Sequence, residues 1–244
     1  MNANELTVSI KSLAGASTAD LVGIASRSAF TAEELGELGE KFGTIRSIVV
    51  LALHIVDPIQ TVRFYSGQVY RDSAIAVFFG DAMLRHTCWQ VAEILRQAGF
   101  QAAIPRNLRY GGEGPTHKVS YKKAAVLAGL GALGNNQLLI HPDWGPWLYL
   151  RTVVTDAPLP PDAPISFSPP CDDCGRCFDA CPCGALSAVG IDRKVCAERV
   201  GYREGRGPTV LRLSPHGQIN CEECMRACPI GTAPPRLEVQ HSTR

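Results

Sequence analysis

One pattern constrains this chain more than any other: Cys171-x2-Cys174-x2-Cys177-x3-Cys181-Pro182, then Cys196, then Cys221-x2-Cys224-x3-Cys228-Pro229. Nine of the ten cysteines fall between Cys171 and Cys228, leaving only Cys88 in the rest of the chain. A disulfide-stapled secreted protein would spread them through a small fold. Met1 to Lys11 shows no basic start followed by a long apolar block, and no twin arginine. The longest apolar run, Ile48 to Val56, is interrupted by His54 and is far short of a membrane span. The expectation is a cytoplasmic chain with no membrane segment, where disulfides rarely persist. Its cysteines are then metal ligands. The seven of the two motifs and Cys196 make eight, the number two cubane iron–sulfur clusters need.

The spacing has a physical reason. Two residues between thiolates let a tight loop present both sulfurs to one cluster, with backbone N–H groups free to bond the sulfurs. The three-residue gap before Cys-Pro turns the last thiolate away, towards a second cluster. This is the run of two-cluster bacterial ferredoxins. It assigns Cys171, Cys174, Cys177 and Cys228 to one 4Fe–4S cluster, and Cys181, Cys196, Cys221 and Cys224 to the other. Zinc is the plainer alternative, because sulfur ligation alone does not separate it from iron–sulfur. A three-cysteine run with Cys-x3-Cys-Pro twice is poorly explained by zinc. Cys183 reads as a small buried residue rather than a ligand, and Cys88 as a core thiol rather than a nucleophile.

The rest of the chain is different in kind. Of 244 residues, 45% are hydrophobic and 19% charged, enough apolar content for a real core. A net charge of +1 argues against a protein built to coat nucleic acid or an anionic membrane. Ala19 to Ile24 reads as a strand, and Thr31 with Glu34 as a capping box opening a helix. Ser47 to Ile55 is apolar without alternation, a strand buried on both faces. Asp72 to Gln97 has helical spacing stopped by Gly99. Phe100 to Ile104 reads as a strand, residues 107 to 118 as a loop, and Val119 to Leu127 as a helix. Gln137 to Ile140 and Trp147 to Thr155 read as strands around a turn. Six prolines between Pro158 and Pro170 mark a semi-rigid linker. The expected organisation is an α/β (α+β) domain over residues 1–164 and a ferredoxin-like double-cluster module over 165–244.

From Ala128 the chain runs Gly129-Leu130-Gly131-Ala132-Leu133-Gly134-Asn135-Asn136-Gln137-Leu138-Leu139-Ile140. Pro142-Asp143-Trp144-Gly145-Pro146, Thr155-Asp156-Ala157-Pro158-Leu159 and the ferredoxin run follow. This order resembles that of epoxyqueuosine reductases and corrinoid reductive dehalogenases, and covers about residues 120 to 230. The resemblance implies a nitroreductase-like domain that binds cobalamin, and a double-cluster module that reduces its cobalt. It implies an oxidoreductase served by a donor such as ferredoxin or flavodoxin. It places Gly129, Leu130, Gly131, Gly134, Asn135 and Asn136 against the cofactor. Glycines allow close backbone approach to a large planar ligand, although the same residues also make a tight helix-to-strand turn.

Two departures bear on the substrate. Epoxyqueuosine reductases carry an Asp general acid about a dozen residues before this loop. Here that count reaches Pro115 and Thr116, and the nearest carboxylate is Glu113. They also carry a C-terminal helical extension that helps hold tRNA, which this chain lacks, so nucleic acid is not the expected partner. Reductive dehalogenases use a Tyr beside a cation as proton donor, and Tyr121-Lys122-Lys123 and Arg109-Tyr110 supply those types. The candidate proton donors are Tyr121, Tyr110 and Glu113. No Asp-x-His-x-x-Gly occurs, and the six isolated histidines read as surface or core residues. Three roles stand open: a reductase of a small molecule, a reductive activator or chaperone for the corrinoid of another protein, and a plain electron carrier. A flavin in the first domain is a further variant. The cysteine pattern predicts about eight iron atoms per chain on anaerobic purification. Zinc in their place would overturn it.

Overall fold

The fold is that of a computed structural model describing residues 2–42, 44–54, 72–105, 119–199 and 222–232. Tyr110, Glu113 and Cys221 lie outside the described residues, as do His117, His216 and His241. The first domain is built on a four-stranded antiparallel sheet in the order β1-β2-β6-β3. Its strands are β1 (Leu21–Ser26), β2 (Ser47–His54), β3 (Ala102–Ala103) and β6 (Leu148–Thr155). Val50 at its centre pairs with Gly23 on one side and Thr152 on the other.

Continuous apolar strands are typical of parallel sheets; here an antiparallel one has helices on both faces, with the same consequence. Six residues of β2, Ser47 to Ala52, are buried. Alternation then divides them. Val49 and Leu51 point with Ile24 and Val153 into a core shared with helices α1 (Ala3–Ala16) and α3 (Asp72–Gln97). Ile48, Val50 and Ala52 point the other way, to a core with Phe30, Leu35 of α2 (Ala32–Phe42), and Ala124 and Ala125 of α4 (Tyr121–Leu127). The Thr31–Glu34 capping box is formed in both directions, at 2.8 and 3.1 Å. Gly99, at φ +88°, follows the end of α3. The structure shortens the expected strand at Phe100 to Ile104 to two residues and starts β1 two residues later than the sequence suggests.

Helix α1 has no counterpart in the sequence reading. Its signals were present: Asn2 and Glu5 form a capping box, and Leu6, Ile10 and Ala14 recur every fourth residue on the buried face. Among the described residues no helix is long and apolar enough to cross a membrane.

Beyond α4 the chain makes a small hairpin of β4 (Ala132–Leu133) and β5 (Leu139–Ile140) before entering β6. The proline-rich stretch is docked onto the sheet domain. Asp162 accepts from the Ile24 N–H at 2.8 Å, its own N–H returns to the Ile24 carbonyl, and it is ion-paired with Lys11 at 2.6 Å. The cysteine-rich segment follows. It holds the single turn α5 (Arg176–Asp179), the two-residue strands β7 (Leu186–Ser187) and β8 (Gly190–Ile191), α6 (Arg193–Arg199) and the single turn α7 (Glu223–Arg226).

If α1 is integral to the first core, Ile10→Ala should cost about 2–5 kcal/mol in denaturant unfolding. Val8→Ala, on the exposed side of the same helix, should change stability by less than about 0.5 kcal/mol. Equal effects would show that α1 does not pack as described.

Candidate functional site

The cysteine-rich segment has little regular structure to bury, so its shape is set by turns. The Cys174 N–H bonds the Cys171 carbonyl, and Gly175 takes φ +63° to start α5. A second turn, α7, packs against α5 and leads to Cys228 just beyond its C-cap Ala227. The result is a small recess, partly open to solvent. Cys171, Cys174, Cys177 and Cys228 line it, together with Asn135, Pro169 and Ile230. Three of these thiols come from the first motif and the fourth from the second. Burial pushes the Cys177 thiol above its usual value, and Cys171, Cys174 and Cys228 add to the rise. Cys228 is raised in the same way, by burial first and then by Cys171 and Cys174. Four thiolates here repel one another unless something cationic sits among them.

Cys181 lies in a different environment. Burial opposes its ionisation. The backbone N–H groups of Cys183, Leu186 and Ala185 outweigh that and bring its thiol below the usual value. Its Sγ lies 3.8 Å from that of Cys183. Cys196 sits on α6 and Cys224 on α7, both half-buried. Among the described residues no three His, Cys, Asp or Glu side chains close on a point that would seat a single metal ion.

The glycine loop adjoins this recess, but its glycines are used by the chain itself. A Cβ on Gly129 (φ +73°) would lie 2.4 Å from the Ala163 carbonyl oxygen, and one on Gly131 at the same distance from that of Ile140. A Cβ on Gly134 would meet the Ile140 side chain at 2.7 Å. Leu130 is buried in the core with α4. Of the six loop residues singled out in the sequence, only Asn135 and Asn136 face the recess. Asn135 donates to the Cys171 carbonyl at 3.0 Å, and buried Asn136 accepts from the Leu138 N–H.

Tyr121 opens α4, and its hydroxyl donates to the Pro105 carbonyl at 2.6 Å. The two lysines after it turn elsewhere. Lys123 pairs with Glu34 at 2.8 Å and lies 5.0 Å over the Phe30 ring. Lys122 donates to the Gln137 carbonyl, and burial, then Arg193, lowers its pKa. Cys88 is fully buried in α3, and burial pushes its thiol up to about 12, so it is inert as a nucleophile.

No local sequence pattern marks how the two parts join. Trp144 is sandwiched between His54 (4.6 Å) and His141 (4.5 Å). Burial lowers both imidazole pKa values, so neither ring carries charge near neutrality. Next to this stack the backbone of Trp144 and Gly145 lies directly on that of Ile230 and Gly231. A Cβ on Gly145 (φ +60°) would fall 1.8 Å from the Ile230 oxygen. Arg226 completes the joint, its guanidinium 5.4 Å over the Trp147 ring.

No family model matches the chain. Curated relatives do. Epoxyqueuosine reductase of Bacillus anthracis is 34% identical over 116 residues, and that of Bacillus subtilis 31% over 117. Each match takes in 47% of this chain and 30% of the relative, so the chain spans under a third of their length. The likeness in fold extends further. Epoxyqueuosine reductase of Streptococcus thermophilus superposes with a TM-score of 0.64 at 18% identity, over 96% of this chain and 68% of that one. An epoxyqueuosine reductase bound to a modified tRNA stem loop gives 0.61 at 21%, over 93% and 66%. A reductive dehalogenase described as B12-dependent gives 0.64 at 21%, over 92% and 31%. The chain therefore has the mixed helix-and-sheet fold of these reductases.

The backbone joint yields a direct test. Gly145→Ala places a methyl group inside a main-chain contact at positive φ. It should destabilise the protein by at least about 2 kcal/mol in thermal unfolding. Gly15→Ala, where the added Cβ meets nothing within 4 Å, should not. Tolerance of Gly145→Ala would mean the two backbones do not meet.

Proposed function

We propose that this chain is an iron–sulfur reductase. A nitroreductase-like domain holds an electron acceptor, and a ferredoxin-like double-cluster module supplies it. The observation that carries the reading is the recess where three thiols of the first motif meet Cys228 of the second. A partly open space with four sulfurs on its walls suits a cationic group.

Cys171, Cys174, Cys177 and Cys228 would hold one 4Fe–4S cluster. Cys181, Cys196, Cys221 and Cys224 would hold the other. Such a cluster, when bound, accepts and releases one electron at a time. The protein's part is to bind, shield and tune. Pro169, Pro170, Ile140 and Ile230 give the first recess an apolar wall. The N–H groups of Cys183, Leu186 and Ala185 favour added negative charge at Cys181.

The fold shared with a reductive dehalogenase described as B12-dependent supports a corrinoid cobalt as the acceptor. At Gly129, Gly131 and Gly134 the space a side chain would fill is taken by the chain's own Ala163 and Ile140, which accounts for these glycines without a cofactor. Tyr121 as proton donor meets a similar difficulty, its hydroxyl already donating to Pro105. This favours, as a second reading, a reductive activator whose corrinoid belongs to a partner protein. The tRNA stem loop bound by a protein of this fold makes RNA a reasonable candidate substrate. A net charge near zero does not exclude it, since local rather than total charge binds phosphate.

Anaerobic purification from cells supplied with cobalamin tests the reading, with metals and the visible spectrum followed before and after dithionite. One cobalt per chain beside the iron, with a reduced-corrin spectrum, is expected of the reductase. Iron that bleaches reversibly without cobalt would remove the resident corrinoid and leave the activator or carrier. Absence of iron would overturn the proposal.

A further inference from the structure

One cysteine of the module stands outside the two ligand sets. The seven of the two motifs and Cys196 complete the eight thiolates of two clusters, and Cys183 is a ninth. The sequence suggests a small buried residue there. In the structure Cys183 is half-exposed instead, and its Sγ lies 3.8 Å from the Sγ of Cys181.

The local chain explains the approach. Gly184 donates its N–H to the Cys181 carbonyl at 3.1 Å, closing a turn over Cys181-Pro182-Cys183-Gly184. The proline ring fixes one backbone angle of that turn, and Gly184 takes φ +63° to leave it. The turn folds the second thiol back beside the first. The N–H groups of Cys183, Ala185 and Leu186 bond the Cys181 sulfur and hold it in place. A disulfide spans about 2.05 Å, so the gap left to close is shorter than the bond itself. Rotation about the two Cα–Cβ bonds covers such a distance. Packing does not account for Cys183, because a half-exposed thiol fills no core.

We propose that Cys181 and Cys183 form a redox-modification site, which a small disulfide of the glutathione class closes once the second cluster has left. One sulfur attacks the small disulfide and displaces half of it as a thiol. The neighbouring sulfur then displaces the other half. The two cysteine thiols give up two protons and two electrons, one Sγ–Sγ bond forms, the small disulfide's bond breaks, and two small thiols leave. While the cluster is bound, Cys181 is its ligand and the pair stays open. After cluster loss the bond keeps Cys181 in a form that a thiol reductant returns to a ligand, whereas an unprotected oxidised thiolate goes on to sulfinic acid. The inference rests on the iron–sulfur reading above.

Full-length wild type and Cys183→Ala would be purified anaerobically and counted for iron. Both would then be exposed to air with oxidised glutathione until the clusters are lost. The chymotryptic peptide of residues 179–186 holds Cys181 and Cys183 and no other cysteine, and its mass reads the outcome. From wild type it is expected to weigh two hydrogens less than the reduced peptide, and to resist iodoacetamide until dithiothreitol is added. From Cys183→Ala it is expected to carry one glutathione on Cys181, the mixed disulfide left with no neighbour to resolve it. A wild-type peptide still reduced after cluster loss, or joined to a different cysteine, would overturn the proposal. So would loss of half the iron from Cys183→Ala as purified, which would make Cys183 a ligand. Wild type without iron would instead overturn the iron–sulfur reading, a separate and distinguishable failure.

Discussion

The arrangement depends on one close approach. Cys228 reaches the recess only because the chain after it, Ile230-Gly231, lies flat on Trp144-Gly145. A main-chain contact of that kind leaves no room for a side chain, which is why both sides are glycine where they touch. The neighbouring contacts stiffen the joint. Uncharged imidazoles stack on both faces of Trp144, and Arg226 covers Trp147 three residues on. Coupling of the two parts rests on geometry more than on charge, and salt should affect it little.

The same economy runs through the first domain. Two cores share one sheet, and alternation along β2 gives each its half of the strand. Gly23 lets the end of α4 come down on β1, where a Cβ would meet the Ala128 oxygen at 2.4 Å. The hairpin after α4 is thereby held over the sheet, with Asn135 at the rim of the cysteine recess. The path from core to site runs from the β2 and β1 strands through α4 to the β4–β5 hairpin.

How much of this the sequence revealed depends on the range of the interactions. Features written in consecutive residues were legible: the Thr31–Glu34 capping box, the unbroken apolar run of β2, the long helix ended at Gly99, and the cysteine spacing. Helix α1 is equally local, with its Asn2–Glu5 box and the four-residue spacing of Leu6, Ile10 and Ala14. The glycine loop was open to two readings for a physical reason. A glycine that admits a ligand and one that admits a distant carbonyl, Ala163 or Ile140 here, look identical in one dimension. Tyr121 was read beside the lysines that follow it, yet a helix turns successive side chains apart, and each found a separate partner. The His54–Trp144–His141 stack joins residues 90 positions apart in sequence, which no local pattern encodes.

Asp162 gives the linker a meaning its prolines alone do not. By gripping both the Ile24 backbone and Lys11, it moves the point of attachment close to the first cysteine motif. The nine steps from Asp162 to Cys171 reach at most about 28 Å, at roughly 3.1 Å per residue for an extended proline-rich strand. A short tether holds its cargo at a millimolar effective concentration near its target. The cysteine-rich segment is thus confined beside the sheet domain before any contact between them forms, and their encounter is an intramolecular event that dilution does not slow.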